Sequence, residues 1–196
     1  MTDLLYPLEP APVYPRPSID RPGKPAAAEG EMLPLVEPSG LVYGQAPRAW
    51  CHSGARVLHP VVHLHIIDRF GRVFLQKRSL AKDLLPGYWD TAVGGHVTYG
   101  EQALEALYRE AAEELGLSAF NPIFLDTYTY ETERDREFVL IFAMVGHPAL
   151  DPCNAEVSEG RWWTMAELDA ARGKGVLTPN FEAEFPRIRE KLLALL

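Results

Sequence analysis

The stretch Gly95-His-Val-Thr-Tyr-Gly-Glu101, followed after seven residues by Arg109-Glu110-Ala-Ala-Glu113-Glu114-Leu-Gly116-Leu117, decides how this chain is read. From Glu101 to Leu115 it is rich in Ala, Leu and Glu and holds neither Pro nor Gly, which predicts a helix. Leu104, Leu107, Ala111 and Leu115 recur at three- and four-residue spacing and form an apolar stripe. Glu110, Glu113 and Glu114 are also three and four apart and share another face. Like charges held at that spacing repel one another and weaken an isolated helix. A divalent cation removes the repulsion, and hard cations prefer oxygen ligands. Arg109, four residues before Glu113, is placed to brace or neutralise the cluster. Gly116 reads as the C-cap.

The stretch resembles the Nudix box: Gly, five residues, Glu, seven residues, then Arg-Glu-aliphatic-x-Glu-Glu-x-Gly-aliphatic. It agrees at every fixed position, with Ala111 standing where the family usually has a larger aliphatic residue. The likeness runs from about Gly30 to the C-terminus. It implies a metal-dependent Nudix pyrophosphohydrolase that cleaves a small diphosphate compound, such as a nucleoside diphosphate linked to another moiety. By the same resemblance, Glu110, Glu113 and Glu114 ligate Mg2+ or Mn2+, and the Gly95 carbonyl completes the set. Glu110 is the first candidate general base, with Glu137 and Glu133 as alternatives. Glu101 would hold a water on the metal, and Arg109 would orient the glutamates.

Composition narrows the classes. A net charge of -8 argues against binding a nucleic-acid backbone, which needs a basic footprint, but leaves phosphate substrates open. The two cysteines, Cys51 and Cys153, have no ligand spacing, so neither a disulfide scaffold nor a zinc knuckle is suggested. No apolar run approaches a membrane span, and the N-terminus lacks a basic region followed by an apolar core. The expectation is a cytoplasmic protein without a membrane partner.

Working outward, residues 1–29 carry Pro7, Pro10, Pro12, Pro15, Pro17, Pro22 and Pro25 and read as an extended tail before a domain over 30–196. Its Leu4, Leu5, Tyr6, Val13 and Tyr14 suggest docking on the domain or on a second copy, so a homodimer is compatible with it. Met32–Val36, Pro-Ser-Gly and Leu41–Tyr43 read as a hairpin. Val57–Ile67 and Val73–Lys77 read as strands around the turn Asp68–Gly71. Leu85–Asp90 reads as a loop, Thr91–Val93 as a short strand, and Ile123–Tyr130 and Phe138–Val145 as strands around the charged loop Glu131–Glu137. Glu156–Trp163 reads as a further strand. Thr164-Met-Ala-Glu167 has capping-box spacing and opens a helix, and Phe181–Leu196 forms a last one. Strands mixed with helices, hairpins included, predict an α/β fold with a mixed sheet sandwiched between helices.

A second group of residues resembles a narrower branch of the superfamily, isopentenyl-diphosphate isomerase and its Nudix relatives. The likeness lies in Arg56-Val-Leu-His59, Phe74-Leu-Gln-Lys-Arg78-Ser, Leu85-Pro-Gly-Tyr-Trp89-Asp and Gly94-Gly-His96. The isomerases bind a metal with three histidines and two acidic residues, and the matching positions are His52, His59, His96, Asp135 and Glu137. Such a mixed donor set suits Zn2+, Mn2+ or Fe2+ better than Mg2+. The matching diphosphate grips are Arg78 and Lys82, while Trp89, Tyr128 and Trp163 are candidates for stacking or for core. Gly94 stands where the isomerases carry their catalytic cysteine, which removes a proton-transfer group. The intact Arg109-Glu110-x-x-Glu113-Glu114 favours hydrolysis, with isomerisation or ligand sensing as alternatives. His59, His63 and His65 fall on one face of a strand, which would turn toward solvent or a cleft. By resemblance, residues 79–90, 128–137 and 146–160 are the loops that would read the substrate.

Overall fold

The structure is a computed structural model that describes residues 30–82, 84–152 and 155–196. The expected docking of the tail 1–29 lies outside them. The described chain groups into two compact units, one of residues 30–61, 96–106 and 127–140 and the other of 62–95, 107–126 and 141–196.

In the first unit, β1 (Met32–Val36) pairs antiparallel with β2 (Val42–Pro47), closed by Gly40 N–H to Glu37 O at 2.8 Å. The return strand runs four residues beyond the predicted Tyr43, through Gly44 and Pro47. Packing overrides propensity there, because Leu33, Leu35, Ala46 and Cys51 form a buried cluster that Trp50 and Val57 join. A helical turn, α1 (Arg48–Trp50), continues into a π-helical turn, Cys51–Ala55, neither of them expected.

The main sheet has seven strands. Its path is β5 (Trp89–Asp90), β4 (Val73–Arg78), β3 (Leu58–Ile67), β8 (Arg136–Val145) and β7 (Ile123–Glu131). In addition, β6 (Val93–His96) pairs with β3, and β9 (Val157–Trp163) pairs antiparallel with β4. Every residue of β3 is buried, so of the two alternatives for the face bearing His59, His63 and His65, solvent or a cleft, solvent does not hold. The strand expected at Thr91–Val93 lies later, at Val93–His96. Thr91 instead takes Asp90 Oδ1 on its N–H at 2.9 Å and sends its hydroxyl to Leu64 O at 3.0 Å.

Helix α2 (Ala103–Leu115) starts two residues after Glu101. Glu105 Oε2 accepts the Gln102 N–H at 2.8 Å, and Glu101 closes a turn with Thr98. The helix ends as expected. Gly116 takes φ +64°, and Leu117 N–H reaches Ala111 O at 3.0 Å, a six-to-one closure. Ala103, Ala106, Leu107, Ala111 and Leu115 are buried, whereas Leu104 is only half-buried. Helix α3 (Met165–Ala171) carries the reciprocal Thr164–Glu167 capping box, and α4 (Pro179–Leu193) is capped by Thr178 with Pro179 in its first turn. Among the described residues no helix is long and apolar enough to cross a membrane.

Candidate metal and phosphate site

The glutamates of α2 do not share one environment. Glu113 is exposed, Glu110 is half-buried, and Glu114 lies on the buried face at 5% exposure. Glu114 Oε2 accepts the Gln76 side-chain amide at 3.0 Å and the Gly94 backbone N–H at 3.1 Å. Burial, with the Glu110 charge adding to it, pushes its carboxyl up to about 8 despite those donors. Glu110 is raised for the same first reason, burial, against the opposing pull of Arg109. The Arg109 guanidinium lies 2.7 Å from Glu110 Oε1 and 3.5 Å from Glu113 Oε2. A Cβ at Gly95 would overlap the Glu110 carboxyl group where it now lies, so the glycine lets that side chain sit against the β6 backbone. The set fits a hard divalent cation: neighbouring carboxylates pushed toward protonation are returned to their charged form by positive charge between them.

The predicted phosphate grips sit in the same unit, each engaged by an acid. Arg78 Nη1 lies 3.5 Å from Asp90 Oδ2, and its Nε donates to Leu84 O at 3.1 Å. Lys82 pairs with Glu156. Trp89 is 8% exposed and packs edge-on against Trp163 with ring centroids 5.3 Å apart. Arg161 lies 3.5 Å over the Trp163 ring, and Lys77 Nζ lies 5.6 Å from the Trp89 ring centre. Trp89 and Trp163 thus both have the surroundings of core residues flanked by cations.

The first unit holds the other predicted group. The ligand nitrogens of His52, His59 and His96 lie within 4.8 Å of one another. His52 Nε2 is 3.0 Å from His96 Nε2, and the His59 and His96 rings stack at 5.5 Å. His52 rides on the π-helical turn, His59 on β3 and His96 on β6. His59 Nδ1 faces Val57 O at 3.1 Å, while its Nε2 is buried without a hydrogen-bond partner. Burial, reinforced by His52, lowers its pKa to about 4, which keeps the imidazole neutral and able to ligate. An orphaned, neutral, buried imidazole nitrogen beside two others fits a divalent metal. Asp135 Oδ1 lies 2.9 Å from His52 Nδ1, so it orients that ring from behind. Against burial, which opposes its ionisation, the hydrogen bond and charge of His52 hold Asp135 below its usual range. Glu137 is half-buried on β8, not in the loop expected to hold it, and Glu133 is exposed. Glu101 Oε2 accepts the Thr98 N–H at 3.0 Å.

Sequence reasoning passed over two features. Gln76 and the Gly94 N–H, which fix Glu114, carry no motif. A buried network joins Glu184 of α4 to β3, with His63 Nδ1 at 2.8 Å from Oε2 and His65 Nε2 at 2.5 Å from Oε1. The one available signal was a lone glutamate on the apolar face of α4, which Phe181, Phe185, Ile188 and Leu192 line.

The Nudix domain pattern matches residues 57–181. The chain is 32% identical over 173 residues to an isopentenyl-diphosphate Delta-isomerase of Streptomyces griseus, covering 83% of this chain and 88% of that protein. It is 32% identical over 143 residues to the uncharacterized Nudix hydrolase YfcD of Escherichia coli K12, covering 73% and 79%. Among solved structures, DR0079 from Deinococcus radiodurans superposes with a TM-score of 0.68 at 26% identity, over 80% of this chain and 98% of that one. A matched pattern across most of the chain, relatives of both names matched over most of their length and a common fold agree: this chain belongs to the Nudix family, in the branch that includes proteins named isopentenyl-diphosphate isomerase.

Proposed function

We propose that this protein is a metal-dependent hydrolase that splits a diphosphate joined to a second group, a nucleoside diphosphate linked to another moiety being the type substrate. Glu114 carries the reading. It is a buried carboxyl beside Glu110, on the helix that bears Arg109 and Glu113, and burial outweighs its two donors and the charge of Lys82 and pushes it up to about 8. A side chain in that state is suited to a cation ligand and is a poor structural element. Mg2+ or Mn2+ would be held by Glu110, Glu113, Glu114 and the Gly95 carbonyl. Such an ion neutralises phosphate charge and lowers the pKa of bound water. Glu110 then takes the proton of the attacking water, and Arg109 keeps Glu110 and Glu113 in place. Glu101 orders solvent at the approach to the helix. Arg78 and Lys82 exchange Asp90 and Glu156 for phosphate oxygens, while Trp89 supports the cations around it. The test is release of phosphate or monophosphate from a panel of nucleotide, sugar-nucleotide and isoprenoid diphosphates with Mg2+ and Mn2+. Glu113→Gln, at an exposed position, should abolish turnover with the fold intact. Full activity in that variant sinks the proposal.

The histidine cluster supports a second reading: a separate divalent ion, Zn2+ or Mn2+, on His52, His59 and His96, with Asp135 holding His52 from behind, not ligating as the resemblance implied, and Glu137 completing the set. Zn2+ titration of the wild type and of His59→Ala decides it, the variant losing one equivalent. An isomerase activity, as in the similarly named relatives, would appear as double-bond migration in isopentenyl diphosphate. Gly94, which offers no acid or base there, argues against it. Binding of diphosphates without any turnover would leave a ligand sensor.

A further inference from the structure

Residues 84–88 turn back on a single residue, Arg78, the last of β4. Arg78 donates its backbone N–H to Tyr88 O at 2.9 Å and accepts the Gly87 N–H at 3.0 Å. Its side-chain Nε donates to Leu84 O at 3.1 Å. Pro86 and Gly87 are the central pair of the turn, which the Tyr88 N–H closes on Leu85 O at 3.3 Å. Gly87 takes φ +76°, as the third residue of a type II turn requires. Leu85 departs from what its sequence favours. It takes φ +50°, although it is bulky and precedes a proline, which pushes the residue before it toward extended backbone. Strain of this kind persists only where the surrounding structure fixes it, and it gathers at ligand clamps. The Leu85 side chain is exposed and does not account for it. What the conformation supplies is the Leu84 carbonyl, turned onto Arg78. The two partners of the guanidinium differ. Leu84 O is neutral and close. Asp90 Oδ2 pairs with Nη1 at 3.5 Å, while its Oδ1 accepts the Thr91 N–H and the Thr178 hydroxyl at 2.9 Å each. A phosphate that replaces Asp90 leaves Leu84 O as the contact that keeps the guanidinium plane in place.

We propose that Leu85 is a positioning residue of the phosphate grip: its left-handed backbone aims the Leu84 carbonyl at Arg78 Nε and so sets the direction from which the guanidinium meets a diphosphate oxygen. The proposal rests on the hydrolase reading above, in which Arg78 holds phosphate. The planar fork of an arginine can keep one edge on the protein and turn another to the ligand, so fixing its plane fixes the grip.

Leu85→Pro and Leu85→Gly separate the backbone from the side chain. Proline fixes φ at about −65° and forbids the left-handed turn, and the Leu85 N–H that it removes holds no hydrogen bond among the described residues. Glycine loses the same side chain but leaves the left-handed backbone open. The probe is methylenediphosphonate, an unreactive diphosphate with no apolar part, titrated calorimetrically with saturating Mn2+, alongside Mn2+ alone. Leu85→Pro should bind the probe about tenfold more weakly or worse, the range for a lost hydrogen bond to a charged group. Leu85→Gly should bind it as the wild type does, and Mn2+ affinity should hold in both. In an Arg78→Gln background Leu85→Pro should weaken the probe no further, whereas a merely structural role would lower affinity there as well. If Leu85→Pro does not fold, Leu85→Val carries the test, since a β-branched residue resists the left-handed region. Unchanged probe affinity in Leu85→Pro, an equal loss in Leu85→Gly, or a loss that extends to Mn2+ alone overturns the proposal. So does failure of the wild type to bind the probe. Leu85-dependent binding in a protein that turns over no diphosphate sinks the hydrolase reading and keeps the positioning role. Turnover with an unaltered KM in Leu85→Pro does the reverse.

Discussion

Glu114 and Glu184 are both carboxylates enclosed in the same compact unit, at 5% and 0% exposure, yet their charges are pulled in opposite directions. Glu114 meets an amide, a backbone N–H and the like charge of Glu110, and burial pushes it up to about 8. At Glu184 burial also opposes ionisation. The charges and hydrogen bonds of His63 and His65 more than offset it and hold the carboxyl below the usual carboxylate range. Burial alone therefore does not set the state of a carboxylate; the partners do. At Glu184 the bonded imidazoles outweigh burial, whereas at Glu114 the two donors and the charge of Lys82 do not; on the reading proposed above, a metal ion would.

The comparison breaks most visibly by replacing each with its amide. Glu114→Gln is expected to lower metal-dependent turnover by more than the roughly 10–100-fold typical of residues behind the ligands. Its urea midpoint without metal should not fall near neutral pH, because a carboxyl raised to about 8 is already largely uncharged there and an amide oxygen can accept the same two donors. Glu184→Gln should do the opposite in stability, losing about 3 kcal/mol as its two imidazoles are left with an amide. The deficit should depend on pH. The folded-state pKa of Glu184 is depressed, so its contribution is present in full above the unfolded value of about 4.3 and is lost as pH falls through the folded one. Urea midpoints of wild type and variant should therefore lie furthest apart above about pH 5 and converge in acid. A gap that widens in acid would show that Glu184 is not the charged partner.

Gln76→Lys sharpens the contrast by giving Glu114 what Glu184 already has. The new ammonium would stand where the amide now donates at 3.0 Å. Competing with the metal, it should weaken Mn2+ binding by about tenfold or more. Unchanged Mn2+ affinity, followed by electron paramagnetic resonance, would mean that Glu114 does not ligate.

How far these regions were legible in sequence follows from how local they are. The α2 glutamates, Gly116 and the Thr164–Glu167 box are set by spacings within one helix, and all appear in the structure. The depth of Glu114 was not legible, because three- and four-residue spacing places Glu110, Glu113 and Glu114 together but does not say which one faces inward. The Glu184–His63 pair spans 121 residues, and the His52–Asp135 pair spans 83. No periodicity links such partners. The turn at residues 48–55 is too short to show any period, and only the family likeness pointed to His52.

The smallest expected effect concerns the cation that Glu110 does possess. Arg109 reaches Glu110 at 2.7 Å and Glu113 at 3.5 Å with one guanidinium nitrogen. Arg109→Lys keeps the charge and loses the planar fork, so the ammonium can serve one carboxylate well but not both. The side chain is about one-third exposed, so solvent and salt screen it, and the change in stability should stay within about 1 kcal/mol. If Arg109 only neutralises charge, Lys restores turnover and an Arg109→Gln protein does not. If it sets the geometry of Glu110, Lys and Gln fall together in kcat. That distinction places Arg109 with the partners that fix a carboxylate's position, as Gln76 does for Glu114, or with those that fix its charge, as His63 does for Glu184.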